Sequence, residues 1–293
     1  MVARRWFASL LFLLCASGLA ASAQQRSSDD ADERASRHDT EEWRQVAAHL
    51  PDPNTSTPQA LTVAADVLRA RRMQEDALDY YRYALVRGGD EATLENDIGV
   101  TLLELQRLPE ARIAFQRTLK LKPKSARAWN NLGATEYVAG NFRAALADDL
   151  RAVKLDKKEA VYHSNLGTAY FELKDFESAR SQFRQSVKLN PDVFRGGGWA
   201  GVEAHVLSAS DHGRFCFEMA VMAAEQHDDA NVVRWLARAS EAGFDIMGEM
   251  GSEKDLNPYR KDPRVATIVR NARAMRAGQV ADAGSAPLPD PPQ

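Results

Sequence analysis

The sequence predicts an all-α solenoid of stacked helix pairs, and three observations carry that prediction. Trp129-Asn130-Asn131-Leu132-Gly133 recurs 34 residues later as His163-Ser164-Asn165-Leu166-Gly167, and Ile98-Gly99 lies the same interval upstream. Ala77, Ala111, Ala145 and Ala179 fall on the same ruler. A fixed period of this size marks an array of supersecondary units, none of which buries its apolar face alone. Within each period, apolar residues recur at helical spacing rather than in the strict alternation of a strand. In Ala160 to Leu173 they are Leu166, Gly167, Tyr170 and Leu173; in Phe176 to Leu189 they are Phe176, Ala179, Phe183 and Val187. Gly167 and Ala179 lack bulk, so the two helices can approach closely while Tyr170 and Phe183 fill the space beside them. Asn190-Pro191 stops the second helix, because proline cannot continue it.

The order Trp129, Leu132, Gly133, then Tyr170, Ala179, Phe183 and Pro191 resembles the tetratricopeptide repeat. The resemblance covers residues 58–192 as four repeats and implies a right-handed α-solenoid. It also implies a non-catalytic scaffold for protein–protein interaction. The copies differ. Pro58–Glu91 keeps Ala64, Leu68, Ala77, Tyr81 and Ala84 but has Ala65 in the glycine slot. Ala92–Ser125 keeps Ile98, Gly99, Leu102, Ala111, Phe115 and Pro123. Ala126–Glu159 departs most, with Glu136 in the tyrosine slot, Asp149 in the aromatic slot and Lys157 in place of the proline. Either Tyr137 and Leu150, one residue on, fill the space after a small helix rotation, or two acids lie near the interior with raised pKa values. The first is expected, since carboxylates are rarely buried unpaired.

Bulk properties narrow the class. The 293 residues are enough for one or two domains, with ordinary hydrophobic and charged content. The net charge of −3 becomes −5 without residues 1–23, which carry Arg4 and Arg5 and no acid. A slightly acidic chain of this kind is no general nucleic-acid binder. Cys15 lies in that leader and leaves Cys216 alone, so the fold does not depend on a disulfide.

Taken in order, residues 1–23 read as a secretory signal. Arg4 and Arg5 precede an apolar run too short to span a bilayer, and Ala21-Ser22-Ala23 is a small-residue cleavage site. The chain is therefore expected to be exported, periplasmic or secreted, with no integral membrane segment after cleavage. Residues 24–39 are polar and expected as a disordered linker. Residues 40–57 carry an N-terminal capping helix with Glu41 and Glu42 in its first turn and an apolar face of Trp43, Val46, Ala47 and Leu50. After the four repeats, residues 193–212 are expected as an irregular Gly-rich connection. Gly196-Gly197-Gly198 there lacks the lysine and hydroxyl of a phosphate cradle. Residues 213–276 form a degenerate repeat, with Met219, Ala220, Ala223, Val232, Leu236 and Ala239 in repeat-like slots, and a C-terminal helical cap. Pro263 opens the cap's last helix, whose Val265, Ile268 and Val269 close the apolar end. Residues 277–293 are a Pro-rich, disordered tail.

No constellation points to catalysis, and no cofactor is expected. Asp211, His212, Cys216, His227, Asp228 and Asp229 gather metal-ligating types, but without recognised ligand spacing. No nucleophile elbow or His-Glu-x-x-His occurs. Arg107, Arg112, Arg117, Lys120, Lys122, Lys124 and Arg127 cluster near the turns, where charge runs are usually solvated outer faces. The resemblance puts the working surface on the first helices, which line the concave side of such arrays. It places Asn96, Val100, Leu103 and Glu104 there, and likewise Arg127, Asn130, Ala134, Tyr137, Ser164, Thr168 and Phe171. Leu103, Tyr137 and Phe171 share one slot and are expected to form an apolar ladder, with Asn130 bonding the backbone of a peptide. The slots that grip a C-terminal carboxylate in some arrays hold Thr62 and Asp66 here, and Asp66 would repel one. The expected partner is a protein or peptide. A structural or assembly role through self-association or the basic convex face is the alternative.

Overall fold

A computed structural model of the chain describes residues 32–191, 193 and 209–276, and every regular element among them is helical. The leader, the Gly196–Gly198 run and the Pro-rich tail lie outside the described residues. The chain divides into two compact units, Met1–Leu105 and Gln106–Gln293.

In the first unit, α1 (32–38) and α2 (Glu41–Ala47) precede α3 (Pro58–Ala70), α4 (Gln74–Val86) and α5 (Glu91–Glu104). Part of the tether expected over 24–39 is thus helical. Its composition offers little apolar surface, and ion pairs hold it instead. Arg34 donates to Asp76 at 2.8 Å and to Asp79 at 2.7 Å. His38 lies 2.9 Å from Asp76 and stacks on Trp43 at 3.8 Å. Thr40 caps α2 by accepting the Trp43 N–H, as its side-chain oxygen suits it to do. The α3–α4 pair buries Leu61, Leu68, Leu78 and Tyr81 completely.

The second unit runs through α6 (Leu108–Leu121), α7 (Ala126–Val138), α8 (Phe142–Leu155), α9 (Ala160–Glu172) and α10 (Phe176–Leu189). It continues with α11 (Ala209–Glu225), α12 (Asp229–Glu241), α13 (Ile246–Glu249), a 3-10 segment over Lys254–Lys261, and α14 (Pro263–Arg276). Residues 209–212, expected within the irregular connection, are the first turn of α11. Helices α7 and α8, α9 and α10, and α11 and α12 pack as pairs. Ser125 caps α7 and Asp175 caps α10. The second helices α4, α6, α8 and α10 start at residues 74, 108, 142 and 176, the spacing the sequence predicts.

One core runs from the fourth repeat into the C-terminal helices. Phe171, Ala179 and Phe183 share it with Phe215, Phe217, Trp235, Leu236, Leu256 and Val265, and Ile268 and Val269 pack at its edge. Glu218, completely buried, is held by Arg180 from α10 and by Arg214 at 2.7 Å.

Candidate protein-binding face

The residues expected on the concave face divide by burial. In the first unit, Asn96 is buried, Val100 and Leu103 are half-buried, and Glu104 is exposed, 3.8 Å from Arg69. In the second unit, Arg127 is exposed, Tyr137 and Thr168 are half-buried, and Asn130, Ala134 and Ser164 are buried. Asn130 does not offer its carbonyl oxygen to a ligand, because that oxygen accepts from Asn165 at 2.9 Å and ties α7 to α9. Tyr137 donates to Glu172 at 3.1 Å across the same two helices. Burial, with the Glu172 carboxylate beside it, pushes the Tyr137 phenol well above its ordinary pKa, so it stays a donor.

Phe171 departs from the expected ladder. It is 1 % exposed and meets Phe176 and Phe215 edge to face, with centroids 5.4 Å and 6.0 Å apart. The aromatic of α11 covers it, so the last rung of the ladder is core. Glu172 and Asn165, outside the set expected on this face, complete the two ties between α7 and α9. Asn165 repeats the Asn131 slot one period on, a signal the sequence carries.

The third repeat resolves its two acids in the less expected way. Leu150 is 44 % exposed and does not fill the slot by rotation. Asp149 fills it, 1 % exposed, against the helix at Gly133, where a Cβ would collide with its carboxyl group. Glu136 is buried too, but Arg112 donates to both its oxygens at 2.5 Å and 2.9 Å, and Asn141 donates at 2.8 Å. A bidentate guanidinium is the partner that makes a buried carboxylate tolerable.

The tetratricopeptide repeat family model matches residues 124–192, the α7–α10 segment just described. Over these residues the chain carries tetratricopeptide repeats. Among solved structures, it is similar to MamA (residues 41-end) from Desulfovibrio magneticus RS-1. Identity there is 18%, with 66% of this chain and 97% of that chain covered and a TM-score of 0.45. It is also similar to pilF of Pseudomonas aeruginosa, at 17% identity, with 68% and 83% covered and a TM-score of 0.48. YrrB, a TPR protein with an unusual peptide-binding site, is similar at 19% identity, with 67% and 91% covered and a TM-score of 0.43. Compared by sequence with curated proteins, the chain has no match.

Several residues of the remaining clusters are engaged within the fold. In the basic run, Arg107 forms two 2.7 Å bonds to Glu110, and Arg112 is committed to Glu136. Of the histidine and cysteine group, Asp228 caps α12, Asp229 accepts from Tyr259, and Asp211 faces Lys174 at 3.3 Å. His212 lies 3.6 Å from Cys216, whose thiol burial pushes up to about 12. No metal-holding group of three His, Cys, Asp or Glu side chains occurs among the described residues.

Proposed function

We propose that the chain is an exported, non-catalytic scaffold whose repeats bind an extended peptide or a protein surface along α7 and α9. The observation that carries this reading is the strip of exposed Arg127 and half-buried Tyr137 and Thr168 beside the buried, mutually bonded Asn130 and Asn165. Asn130 is held by Asn165 at 2.9 Å, and the Thr168 hydroxyl of the strip donates to the Ser164 carbonyl at 3.0 Å. Binding there draws on apolar contact with the Tyr137 ring and on polar contact at the rim, with an affinity set by those few groups rather than by area. Export rests on the leader of residues 1–23, and cleavage is expected to leave Gln24 as the first residue.

The test is a photo-crosslinking amino acid placed at position 168, with a second placed at the exposed Lys120 as control. Adducts formed from 168 and lost on Tyr137→Ala support the reading. Adducts formed only from 120 would sink it. Adducts from 168 that contain a second copy of the chain would turn the same face into an assembly interface.

A further inference from the structure

In each repeat, one slot of the second helix is filled by Tyr81, Phe115, Asp149 or Phe183, and all four are buried. In the fourth repeat the Phe183 ring packs on the bare glycine of α9, so close that a Cβ at Gly167 would lie 2.6 Å from the ring. In the third, the Asp149 carboxyl group takes that ring's place against Gly133. One of its oxygens, Oδ1, is shielded from solvent and has no hydrogen-bond partner. A carboxylate there is uncompensated, and the neutral carboxylic acid costs far less to bury.

The surrounding helices do not supply a counter-charge. On α7, Glu136 is consumed by Arg112 and Asn141, Tyr137 is turned to Glu172, and Arg127 is exposed. On α9, His163 is engaged by Gln182 at 2.8 Å and the Lys157 carbonyl at 3.1 Å, and the other ionisable groups are Tyr162, Tyr170 and Glu172. On α8 itself, Arg143, Arg151 and Lys154 are exposed, and the neighbouring Asp148 carries the same sign of charge.

We propose that Asp149 is a proton-operated latch in the third repeat. With the carboxyl protonated, α8 closes on Gly133 of α7; with the proton lost, the pair loosens. The electrostatics agree with the packing. Burial first, then the charge of Asp148, holds Asp149 well above the usual carboxylate range. Burial likewise pushes Asp148 up to about 6, against the pull of Arg151. The unfolded chain releases the Asp149 proton near pH 4, while the folded chain keeps it. Stability from this group is therefore full below about pH 4 and is lost as pH rises toward the folded-state pKa. Because α7 carries Arg127 and Tyr137, the latch also sets how firmly that face is held. That consequence rests on the proposed function, whereas the latch itself does not.

The experiment uses the full chain and needs no ligand. The urea midpoint is measured between pH 4 and 8 for wild type, Asp149→Asn and Asp148→Asn, and the Asp149 carboxyl carbon is titrated by 13C NMR. Relative to Asp149→Asn, the wild-type ratio of folded to unfolded chain should fall by up to about tenfold per pH unit over the window. Asp148→Asn should move the Asp149 titration to lower pH. An Asp149 signal titrating near pH 4, or an Asp149→Asn protein with the wild-type pH slope, would overturn the latch. If Asp149→Asn does not fold, the wild-type titration and its displacement in Asp148→Asn decide the matter.

Discussion

Arg112 is the residue that lets Glu136 be buried. Its two bonds and the third from Asn141 satisfy a carboxylate that is itself 7 % exposed. Arg112→Met leaves that charge shielded and short of its main partner, and a loss of about 2–3 kcal/mol is expected in urea unfolding. Arg112→Met combined with Glu136→Gln should recover part of the loss; if it recovers none, the charge pair is not what matters. The glycine slots give a second residue-scale prediction. Gly133→Ala and Gly167→Ala each improve helix propensity, by about 1 kcal/mol. The new methyl groups meet the Asp149 carboxyl and the Phe183 ring. Overpacking of this kind costs about 1–3 kcal/mol, so both variants should lower the thermal midpoint. Phe183→Leu should relieve Gly167→Ala and leave Gly133→Ala unchanged. A stabilised Gly167→Ala protein would show that the paired helices have room to part.

At the scale of the element, the repeats share a turn that their side chains conceal. Arg72, Gln106, Gly140 and Lys174 all have positive φ, between 58° and 77°, and sit 34 residues apart. His227 has the same conformation after α11, with φ 57°. Four of these turns end in the same bonds. Arg72 N–H donates to the Arg69 carbonyl and Met73 N–H to that of Leu68, both at 2.9 Å. Gly140 N–H donates to the Tyr137 carbonyl at 2.9 Å and Asn141 N–H to that of Glu136 at 2.8 Å. Lys174 N–H meets Phe171 and Asp175 N–H meets Tyr170 in the same way, and His227 and Asp228 repeat the pattern. This is the Schellman ending, which asks for a left-handed residue just past the helix. Only Gly140 announced it in the sequence. Arginine, glutamine and lysine at the other positions carry no such signal, because the repeat's packing imposes the turn on them. A left-handed non-glycine costs about 1–2 kcal/mol, and glycine's extra chain entropy returns about half of that. Lys174→Gly should therefore stabilise by about 0.5 kcal/mol and Gly140→Ala should destabilise by about 1 kcal/mol, read as opposite shifts in the thermal midpoint. Shifts of the same sign would mean that the bonds, rather than the backbone conformation, dominate the turn.

Across the whole molecule, what was legible follows from where the information lies. The repeat is written as a period, so helix pairs, their starts and the small-residue slots could be read directly; α9 and α10 fall within a residue of their predicted limits. Interactions between distant segments leave no such trace. Residues 32–38 look like a tether because their apolar content is low, and only the acids Asp76 and Asp79, about forty positions on, make them a helix with a place to sit. Asp149 broke the periodic pattern visibly, but its burial depends on the Gly133 contact rather than on its own helix. Phe171 reads as a rung of a groove because the slot is open in a generic repeat. Here α11 brings Phe215 over it, and Phe183 meets the same ring at 5.4 Å. The C-terminal helices are accordingly part of the fourth repeat's core, joined to it further by Glu218 between Arg180 and Arg214. A chain ending at Asn190 would bare Phe171 and Phe183 together, an apolar patch of the kind that associates or binds dye. We expect that truncation to raise the fluorescence of an apolar dye and to lower the midpoint of α9–α10 unfolding. Glu218→Ala in the full chain should weaken the same junction without baring the aromatics, lowering the midpoint with little change in dye binding. A truncated chain that stays monomeric, silent to dye and unchanged in midpoint would show the fourth repeat to be complete without its cap.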